Sequence, residues 1–270
     1  MIMNSIMIDQ SSFLFDFKLF SSTKESLLSQ IESHLQTEKK LLTIFTPNPE
    51  QIVQSISNTS FGSTLRAADV LIPDGIGLVW ASRLLSQRTK QPPLRERIAG
   101  SDVITATLAR ASLSTPMLII GGRDYANRTL HTKKNTFTIG HAPLFWTPGY
   151  MQATSPLARE ERELELLLRK LRPSLVFVAF GAPHQEAWII EHTQLLTEVG
   201  TKIVLSAGGA FDMLLGIVPR APLWLQQFGL EWLFRLVQQP WRWRRQLRLL
   251  VFVGLVLREF ILPRRRLSQA

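Results

Sequence analysis

Short apolar runs and stretches with helical periodicity alternate along this 270-residue chain, and this alternation constrains its fold more than any other feature. The apolar runs are Leu41–Thr46, Val70–Ile72, Met117–Ile120, Leu175–Phe180 and Ile203–Ala207. The helical stretches fall at about 49–58, 75–88, 101–113, 124–132, 158–171 and 184–198. Because each short run is followed by a helical pattern, the order predicts a mainly parallel sheet with helices on both sides.

Proline-rich segments interrupt this pattern and mark loops and a boundary. We interpret 91–95 and 133–156 as loops, and Pro222–Gln238 as a helix that ends before Pro240. The predicted fold class is therefore α/β, with a mainly parallel Rossmann-like sheet and flanking helices. Residues 1–238 would form this domain, and residues 239–270 would form a helical C-terminal appendage.

The composition excludes several kinds of site. The chain has no cysteine, which excludes disulfides, thiolate metal sites and cysteine nucleophiles. Its five histidines show no H-E-x-x-H or other tight ligand spacing. No D-x-D pair is present to hold a divalent cation under a nucleotide diphosphate. We therefore expect neither a metal site nor a bound cofactor.

The N-terminus lacks the features of a secretory signal. No Lys or Arg precedes Lys18, and Asp9 interrupts the apolar residues. No run reaches the eighteen or so apolar residues that a spanning helix needs. We expect a cytoplasmic location.

Polar residues follow the first predicted strand in the sequence Thr46-Pro-Asn48. Pro47 disfavours helix at this point, so the Thr46 hydroxyl and the Asn48 amide would project from a loop at the sheet edge. Asn48 also fits the N-cap of the next helix, with Pro49 at the first helical position. Both roles stay open for Asn48.

The second strand ends in the same way, at Pro73-Asp-Gly-Ile-Gly77. Asp74 stands beside two glycines where a helix begins. Its carboxylate could cap that helix, or it could act as a general base on a substrate hydroxyl. The glycines do not have G-x-G-x-x-G spacing, so this is not a dinucleotide fingerprint.

The fourth run, Leu175–Phe180, ends abruptly at Gly181-Ala-Pro-His-Gln-Glu186. In open α/β sheets, the turn after a buried strand is where ligands usually bind. Gln185 offers a neutral donor and acceptor pair that suits sugar hydroxyls or a base edge. We predict that Gln185 and Glu186 contact substrate, although solvated polar residues in an ordinary turn would give the same pattern.

Three arginines are candidates for binding phosphate. Without a D-x-D pair, arginine side chains would have to balance the charge of a diphosphate. Arg97 lies in a loop before a predicted helix, Arg220 follows Pro219, and Arg235 lies on the predicted helix after it. Solvated arginines are the alternative interpretation.

Taken in series, these motifs resemble the WecG/TagA/CpsF glycosyltransferases, also called glycosyltransferase family 26. The resemblance covers about residues 40–240. The matching segments are Thr46-Pro-Asn48, Pro73-Asp-Gly-Ile-Gly77, Glu96-Arg-Ile-Ala-Gly-Ser-Asp102, Gly181-Ala-Pro-His-Gln-Glu186, Gly208-Gly-Ala-Phe-Asp212, Arg220-Ala-Pro222 and Glu231-Trp-Leu-Phe-Arg-Leu236.

The resemblance implies an inverting transfer of a sugar from a UDP-sugar to a lipid-linked or growing glycan acceptor, without a bound metal. Family donors carry N-acetylmannosamine, its uronic acid, glucose or glucuronic acid. The family's proposed base falls on Asp74, and Thr46, Asn48 and Gln185 would line the pocket. His184 stands where Lys is common, Ser206-Ala207 replaces a frequent Gly-Val, and Pro219 precedes Arg220 where Lys is usual.

The C-terminal segment carries most of the net charge of +10. From Arg235 onward there are nine arginines and one acid, which gives +8. Arginines and tryptophans beside the apolar run Leu249–Leu257 suit a helix at an anionic membrane surface. A core-packing helix and an oligomer contact are the alternatives. Nucleic-acid binding is disfavoured because the arginines accompany an aliphatic run. The resemblance likewise implies an appendage that docks on the membrane and can complete the active site.

These inferences predict a peripheral membrane glycosyltransferase on the inner face of the cell membrane, which builds a cell-surface polysaccharide. Its expected partners are a UDP-sugar, a polyprenyl-diphosphate glycan acceptor and an anionic membrane surface. A homo-oligomer is compatible with the sequence. The competing hypothesis is a catalytically idle nucleotide-binding or scaffolding subunit of a membrane complex.

Overall fold

The computed structural model describes residues 11–110, 115–122, 136–139, 142–240 and 243–262. Its strands are β1 Ser11–Leu14, β2 Phe17–Phe20, β3 Leu42–Phe45, β4 Val70–Leu71, β5 Met117–Gly121, β6 Thr136–Ile139, β7 Ala142–Thr147, β8 Leu175–Ala179 and β9 Ile203–Ser206. These described strands form one nine-stranded sheet in the order β1-β2-β4-β3-β9-β8-β5-β7-β6. All neighbours are parallel except the pairs β1–β2 and β6–β7 at the two edges.

Helices cover both faces of this sheet. They are α1 Lys24–Thr37, α2 Pro49–Ser57, α3 Thr59–Arg66, α4 Ile76–Thr89, α5 Gly100–Arg110, α6 Ala158–Leu171, α7 His184–Glu191, α8 Thr193–Glu198, α9 Ala210–Leu214, α10 Leu223–Gln227, α11 Glu231–Gln238 and α12 Trp243–Ile261. Residues of α1, α5 and α9 form the core on one face, and residues of α2, α3, α4, α6, α7 and α12 form the core on the other. The predicted α/β class with a mainly parallel sheet is confirmed.

The central strands are apolar because both of their faces are buried. In β8, Leu175 and Phe177 point into one core cluster, whereas Val176 and Val178 point into the other. All four side chains are fully buried. A strand between two helical layers has no solvent face, so its sequence is a continuous apolar run rather than an alternation. The five predicted strands were recognisable for this reason.

Several predictions at the edges of the pattern were wrong. The segment 133–156 is not all loop, because β6 and β7 form an antiparallel pair within it. The single helix predicted over Pro222–Gln238 is two helices, α10 and α11, separated at Gly229, whose φ is 70°. A residue with positive φ ends a right-handed helix, and glycine adopts this conformation without strain. The predicted helix at about 124–132 lies outside the described residues.

The C-terminal helix α12 packs against the α/β core. Phe252 and Val256 on one face of the helix are buried in the core cluster that also contains residues of α2 and α4. Phe252 meets Phe15 edge to face, with ring centroids 6.2 Å apart. The division into residues 1–238 and 239–270 stays a prediction about domains. In the structure, the appendage shares its buried face with the core.

Candidate active site

A cavity of about 1130 Å³ opens at the carboxyl ends of the parallel strands. Residues in the turns after β3, β4, β5 and β9 line its floor, together with Ala179 at the end of β8. Parallel strands bring their ends to one edge of the sheet, so residues far apart in sequence meet there. The floor residues at these five strand ends are Thr46, Asp74, Gly122, Ala179 and Ala207.

Asp74 lies on this floor, in contact with the first residue of α5 and with Arg97 in the loop before that helix. Its Oδ2 accepts a hydrogen bond of 3.3 Å from the Gly100 N–H in the first turn of α5, and its Oδ1 lies 3.9 Å from Arg97 Nη2. Although 31% of its side-chain surface is exposed to the cavity, surrounding protein atoms desolvate the carboxyl. This desolvation raises the pKa of Asp74 above its ordinary value, opposed by Arg97 and by the Gly100 N–H. A carboxylate with a raised pKa is a better proton acceptor.

Thr46 and Asn48 combine structural bonds with a place in the cavity lining. Asn48 caps α2, because its Oδ1 accepts from the Gln51 N–H at 3.0 Å and the Gln51 side chain accepts from the Asn48 N–H at 2.9 Å. Thr46 is tied to β9, where its N–H donates to the Ser206 hydroxyl at 3.2 Å. The capping role foreseen for Asn48 is therefore present together with the exposure to the cavity.

Arg97 and Arg220 are engaged by carboxylates. Arg97 Nη2 donates to Glu231 Oε2 at 2.5 Å, in addition to its contact with Asp74. Arg220 donates to Asp102 and lies 3.7 Å from Glu231 Oε1. Arg97 lines the cavity, whereas Arg220 does not. Glu231, at the start of α11, thus joins both arginines to the C-terminal helices, a role that its sequence position did not reveal.

Arg235 and Arg248 face the cavity from the opposite side. Arg235 on α11 donates to the Met213 sulfur at 2.8 Å, and Arg248 on α12 donates to Gln54 Oε1 at 3.3 Å. Within the described part of the chain, no carboxylate lies within 4 Å of either guanidinium group. Their charge is therefore available to an anionic ligand. Arg248 had not been singled out, because an arginine in an apolar helix gives no sign of which way it faces.

Gln185 and Glu186 follow the turn after β8 but differ in position. Gln185 lines the cavity although only 2% of it is exposed. Its Oε1 accepts from the N–H groups of Gly181 and Gly208, at 3.2 and 3.0 Å. Glu186 is 1% exposed and lies beneath the lining, where it accepts from Gln185 Nε2 at 2.7 Å. Gln185 thus uses its amide for contacts within the protein, whereas Glu186 Oε2 is buried without a hydrogen-bond partner among the described residues.

The C-terminal helix α12 forms the wall opposite the strand ends. Phe252 packs near Gly77, and Gln246 Nε2 donates to Glu50 at 3.3 Å. The cavity-lining residues of this helix are Gln246, Arg248, Leu249, Phe252 and Val253. The helix α12 therefore contributes part of the wall that encloses the cavity.

An apolar surface adjoins this wall on α10, α11 and α12. Its members have side chains that are 40–74% exposed. This apolar surface consists of Leu223, Trp224, Phe228, Trp232, Leu233, Val237, Trp243, Leu247, Leu250, Val251, Val253, Leu257, Ile261 and Leu262. A cluster of this size exceeds the scattered apolar residues of an ordinary protein surface and marks an interaction site. Among the helices of the described residues, none is both long and apolar enough to cross a bilayer.

The described residues contain no group of three or more His, Asp or Glu side chains arranged to hold a metal ion. Among the described residues, the cations that line the cavity are Arg97, Arg235 and Arg248, and the acids are Glu50, Asp74, Asp212 and Glu231. Arg97 pairs with Asp74 and Glu231, whereas Arg235 and Arg248 form no ion pair with a described carboxylate. Cations on the protein itself can stabilise a departing diphosphate. The site therefore has an acid–base group and fixed positive charge within one cavity.

Comparison with known proteins agrees with this arrangement. The model of the glycosyl transferase WecG/TagA/CpsF family matches residues 13–266. The chain is 32% identical over 240 residues to an N-acetylglucosaminyldiphosphoundecaprenol N-acetyl-beta-D-mannosaminyltransferase of Bacillus spizizenii, covering 87% of each chain. It is 30% identical over 251 residues to the protein of the same name from Bacillus subtilis, covering 93% of this chain and 92% of the relative. The chain therefore belongs to the WecG/TagA/CpsF family of glycosyltransferases, which act in the biosynthesis of cell-wall polysaccharides.

Proposed function

We propose that this glycosyltransferase moves a sugar of the N-acetylmannosamine type from a UDP-sugar to an N-acetylglucosamine linked to a polyprenyl diphosphate, with inversion at the anomeric carbon. The proposed sugar and acceptor are those that appear in the names of both relatives. The position of Asp74 is the main support for the proposal. Its carboxyl lies on the floor of a cavity whose other wall carries guanidinium groups without carboxylate partners in the described residues.

Asp74 would act as the general base. The acceptor hydroxyl oxygen bonds to the anomeric carbon of the donor as the bond from that carbon to the UDP oxygen breaks. The proton passes to the Asp74 carboxylate, and the electron pair leaves with UDP. The raised pKa of Asp74 suits it to accept the proton, and the Gly100 N–H and Arg97 hold its two oxygens in place.

Arg235 and Arg248 would bind the diphosphate. A departing UDP gains negative charge, and guanidinium groups fit phosphate oxygens with two parallel hydrogen bonds. Arg235 was predicted for this role, and it donates to the Met213 sulfur while forming no ion pair with a described carboxylate. Arg97 and Arg220 would contribute mainly through their charge, because Nη2 of each already donates to a carboxylate. Thr46, Asn48 and Gln185 would position the sugars from the floor.

The apolar surface of α10–α12 would place the protein at the inner face of the membrane. A polyprenyl-linked acceptor stays in the bilayer, so its sugar reaches only a cavity that opens close to the membrane surface. Exposed tryptophan and leucine side chains beside arginines suit the interfacial region of an anionic membrane. This proposal accounts for an exposed apolar surface next to the cavity wall.

A donor screen tests the proposal. Purified protein would be incubated with a polyprenyl-diphosphate N-acetylglucosamine and, in separate reactions, UDP-N-acetylmannosamine, UDP-N-acetylglucosamine, UDP-glucose and UDP-glucuronic acid. UDP release would be measured, and the anomeric configuration of the product would be read by NMR. We expect UDP-N-acetylmannosamine to react fastest and to give an inverted linkage. A retained configuration would exclude the single displacement, and UDP binding without release in any reaction would favour an idle binding protein.

A further inference from the structure

Glu186 is a buried acid that the proposed reaction does not use. Only 1% of it is exposed, and no Lys, Arg or His of the described residues lies within ion-pair distance. Desolvation raises the pKa of Glu186 to about 7, opposed most by the hydrogen bond from Gln185. Burial of a carboxyl without a cationic partner disfavours folding. An apolar side chain at this position would give a more stable fold, so the carboxyl is expected to have a functional role.

The carboxyl fixes the orientation of the Gln185 amide. Glu186 Oε1 accepts from Gln185 Nε2 at 2.7 Å, so the amide nitrogen must face Glu186 and the amide oxygen must face the other way. That oxygen accepts from the Gly181 N–H after β8 and from the Gly208 N–H after β9. One side-chain amide therefore holds two strand-end turns together, and a flipped amide would present donors to both N–H groups.

The second oxygen of the same carboxyl has no such bond. Glu186 Oε2 is buried and has no hydrogen-bond partner among the described residues. The Ser206 hydroxyl lies near enough to lower the pKa of Glu186, and it accepts from the Thr46 N–H at 3.2 Å. The hydrogen-bonded connection from Glu186 to the strand ends therefore runs through Gln185 to the turns after β8 and β9.

The turns that Gln185 joins face the ligand directly. Gly181 and Gly208 have φ of 80° and 52°, and a Cβ added at either would meet no atom within 4 Å. Both glycines line the cavity. The backbone at Gly181 and Gly208 is thus exposed to the cavity on one side, and its N–H groups are bound by Gln185 on the other. The spacing of the two turns decides how closely a substrate can approach the backbone there.

We propose that Glu186 is a positioning residue for the transfer reaction, which through Gln185 fixes the spacing of the turns at Gly181 and Gly208 on the cavity floor. This assignment rests on the proposed function. It replaces direct substrate contact by Glu186 with an action through Gln185.

The test compares variants of the full-length protein in two assays. Affinity for UDP would be measured by titration calorimetry, which needs no transfer, and kcat and KM would be measured with the best donor and acceptor. The variants are Glu186→Met, Glu186→Gln, Gln185→Met, the double variant Gln185→Met/Glu186→Met, and Ser206→Ala. Glu191→Met on the exposed side of the same helix is the matched control. Thermal unfolding would show that each variant is folded.

We expect Glu186→Met to weaken UDP binding and kcat/KM by roughly 10- to 100-fold, because small displacements of a binding wall reduce rates by this order. Glu186→Gln should stay within about threefold, since its amide oxygen can still accept from Gln185. The double variant should lose no more than Gln185→Met alone, because residues that act through one another are not additive. Ser206→Ala should lower kcat/KM by only a few-fold, because it leaves the contact between Glu186 and Gln185 intact and removes only the hydroxyl that accepts from the Thr46 N–H.

Two outcomes would overturn the assignment: a Glu186→Met protein that matches the Glu191→Met control in both assays, or losses that add in the double variant. A wild-type protein that binds UDP but transfers no sugar would refute the proposed function instead. In that case the UDP affinities of the variants would still decide the role of Glu186.

Discussion

The two walls of the cavity differ in how their polar groups are partnered. On the strand-end wall, the side-chain oxygens of Asn48 and Gln185 accept hydrogen bonds from backbone N–H groups, and Asp74 is held from two sides. On the helical wall, Arg235 and Arg248 contact only a sulfur and a neutral amide within the described residues. On the proposed function, the first wall would be preorganised for the proton transfer and the second would bind the diphosphate. Mutations in the two walls should therefore affect catalysis and UDP binding differently.

The largest effect should come from the strand-end wall. Replacing Asp74 by Asn keeps the size of the side chain but removes the proton acceptor, so kcat should fall about 1000-fold. UDP affinity, measured by calorimetry, should change little because the charge on the helical wall is intact. Undiminished turnover would show that Asp74 is not the base and that the division between the walls is incorrect.

On the helical wall, Arg235→Ala should reduce kcat/KM about 100-fold, because one donor to the leaving group is lost. Arg248→Ala should have an effect of the same kind, and both should weaken UDP binding, in contrast to Asp74→Asn. The exposed Arg159, which pairs with Glu163 on α6 far from the cavity lining, provides the control variant Arg159→Ala. Equal kinetics for Arg235→Ala and this control would exclude phosphate binding by Arg235.

The buried acid beneath the strand-end wall should make stability depend on pH. The pKa of Glu186 rises from 4.5 to about 7 on folding, so the folded protein binds the proton more tightly. Stability from this group is present below pH 4.5 and is lost as the pH rises toward 7, by about 3 kcal/mol. Urea unfolding of wild type and Glu186→Gln between pH 4.5 and 8 would measure it. A difference that stays constant with pH would contradict the prediction.

The smallest effect should concern the outer side of the helical wall. Replacing Leu250 and Ile261, which are 71% and 66% exposed, by Gln should weaken binding to anionic vesicles about tenfold without unfolding the protein. Leu166→Gln on α6, at a side chain 62% exposed, is the matched control. Deleting 241–270 should also release the protein from vesicles, but it would remove Phe252 and Val256 from the core. Unchanged vesicle sedimentation of the double variant would argue against membrane docking by this surface.

The parts of the fold that were predictable are those in which local sequence and burial agree. The run Leu175–Phe180 could only be a central strand, and Asn48 followed by Pro49 signalled a helix start. The strand β7 was missed because Pro143 lies within it and Pro148 directly follows it, and its pairing with β5 and β6 depends on tertiary contacts. The hairpin of β1 and β2 and helix α1, before residue 40, also gave no prediction.

The candidate site divides in the same way. Thr46, Asp74 and Gln185 were chosen as residues that follow strands, and the sheet brings them to one cavity. Glu231 and Arg248 were not chosen, because their importance depends on how α11 and α12 pack on the core. Sequence periodicity indicates which face of a helix is apolar, but it does not specify which cavity the polar face borders.

Asn48 both caps α2 and lines the cavity, and this combination limits which substitutions the position can accept during evolution. A change at a helix N-cap costs about 1 kcal/mol of stability, so a new donor preference acquired at Asn48 would come with a weaker α2. His184 also lines the cavity, yet its imidazole makes no hydrogen bond to any residue that the structure describes. Evolution can alter such a position without loss of a structural contact. His184, where this chain already differs from the common family pattern, is therefore the place where selection could change the sugar while the fold stays the same.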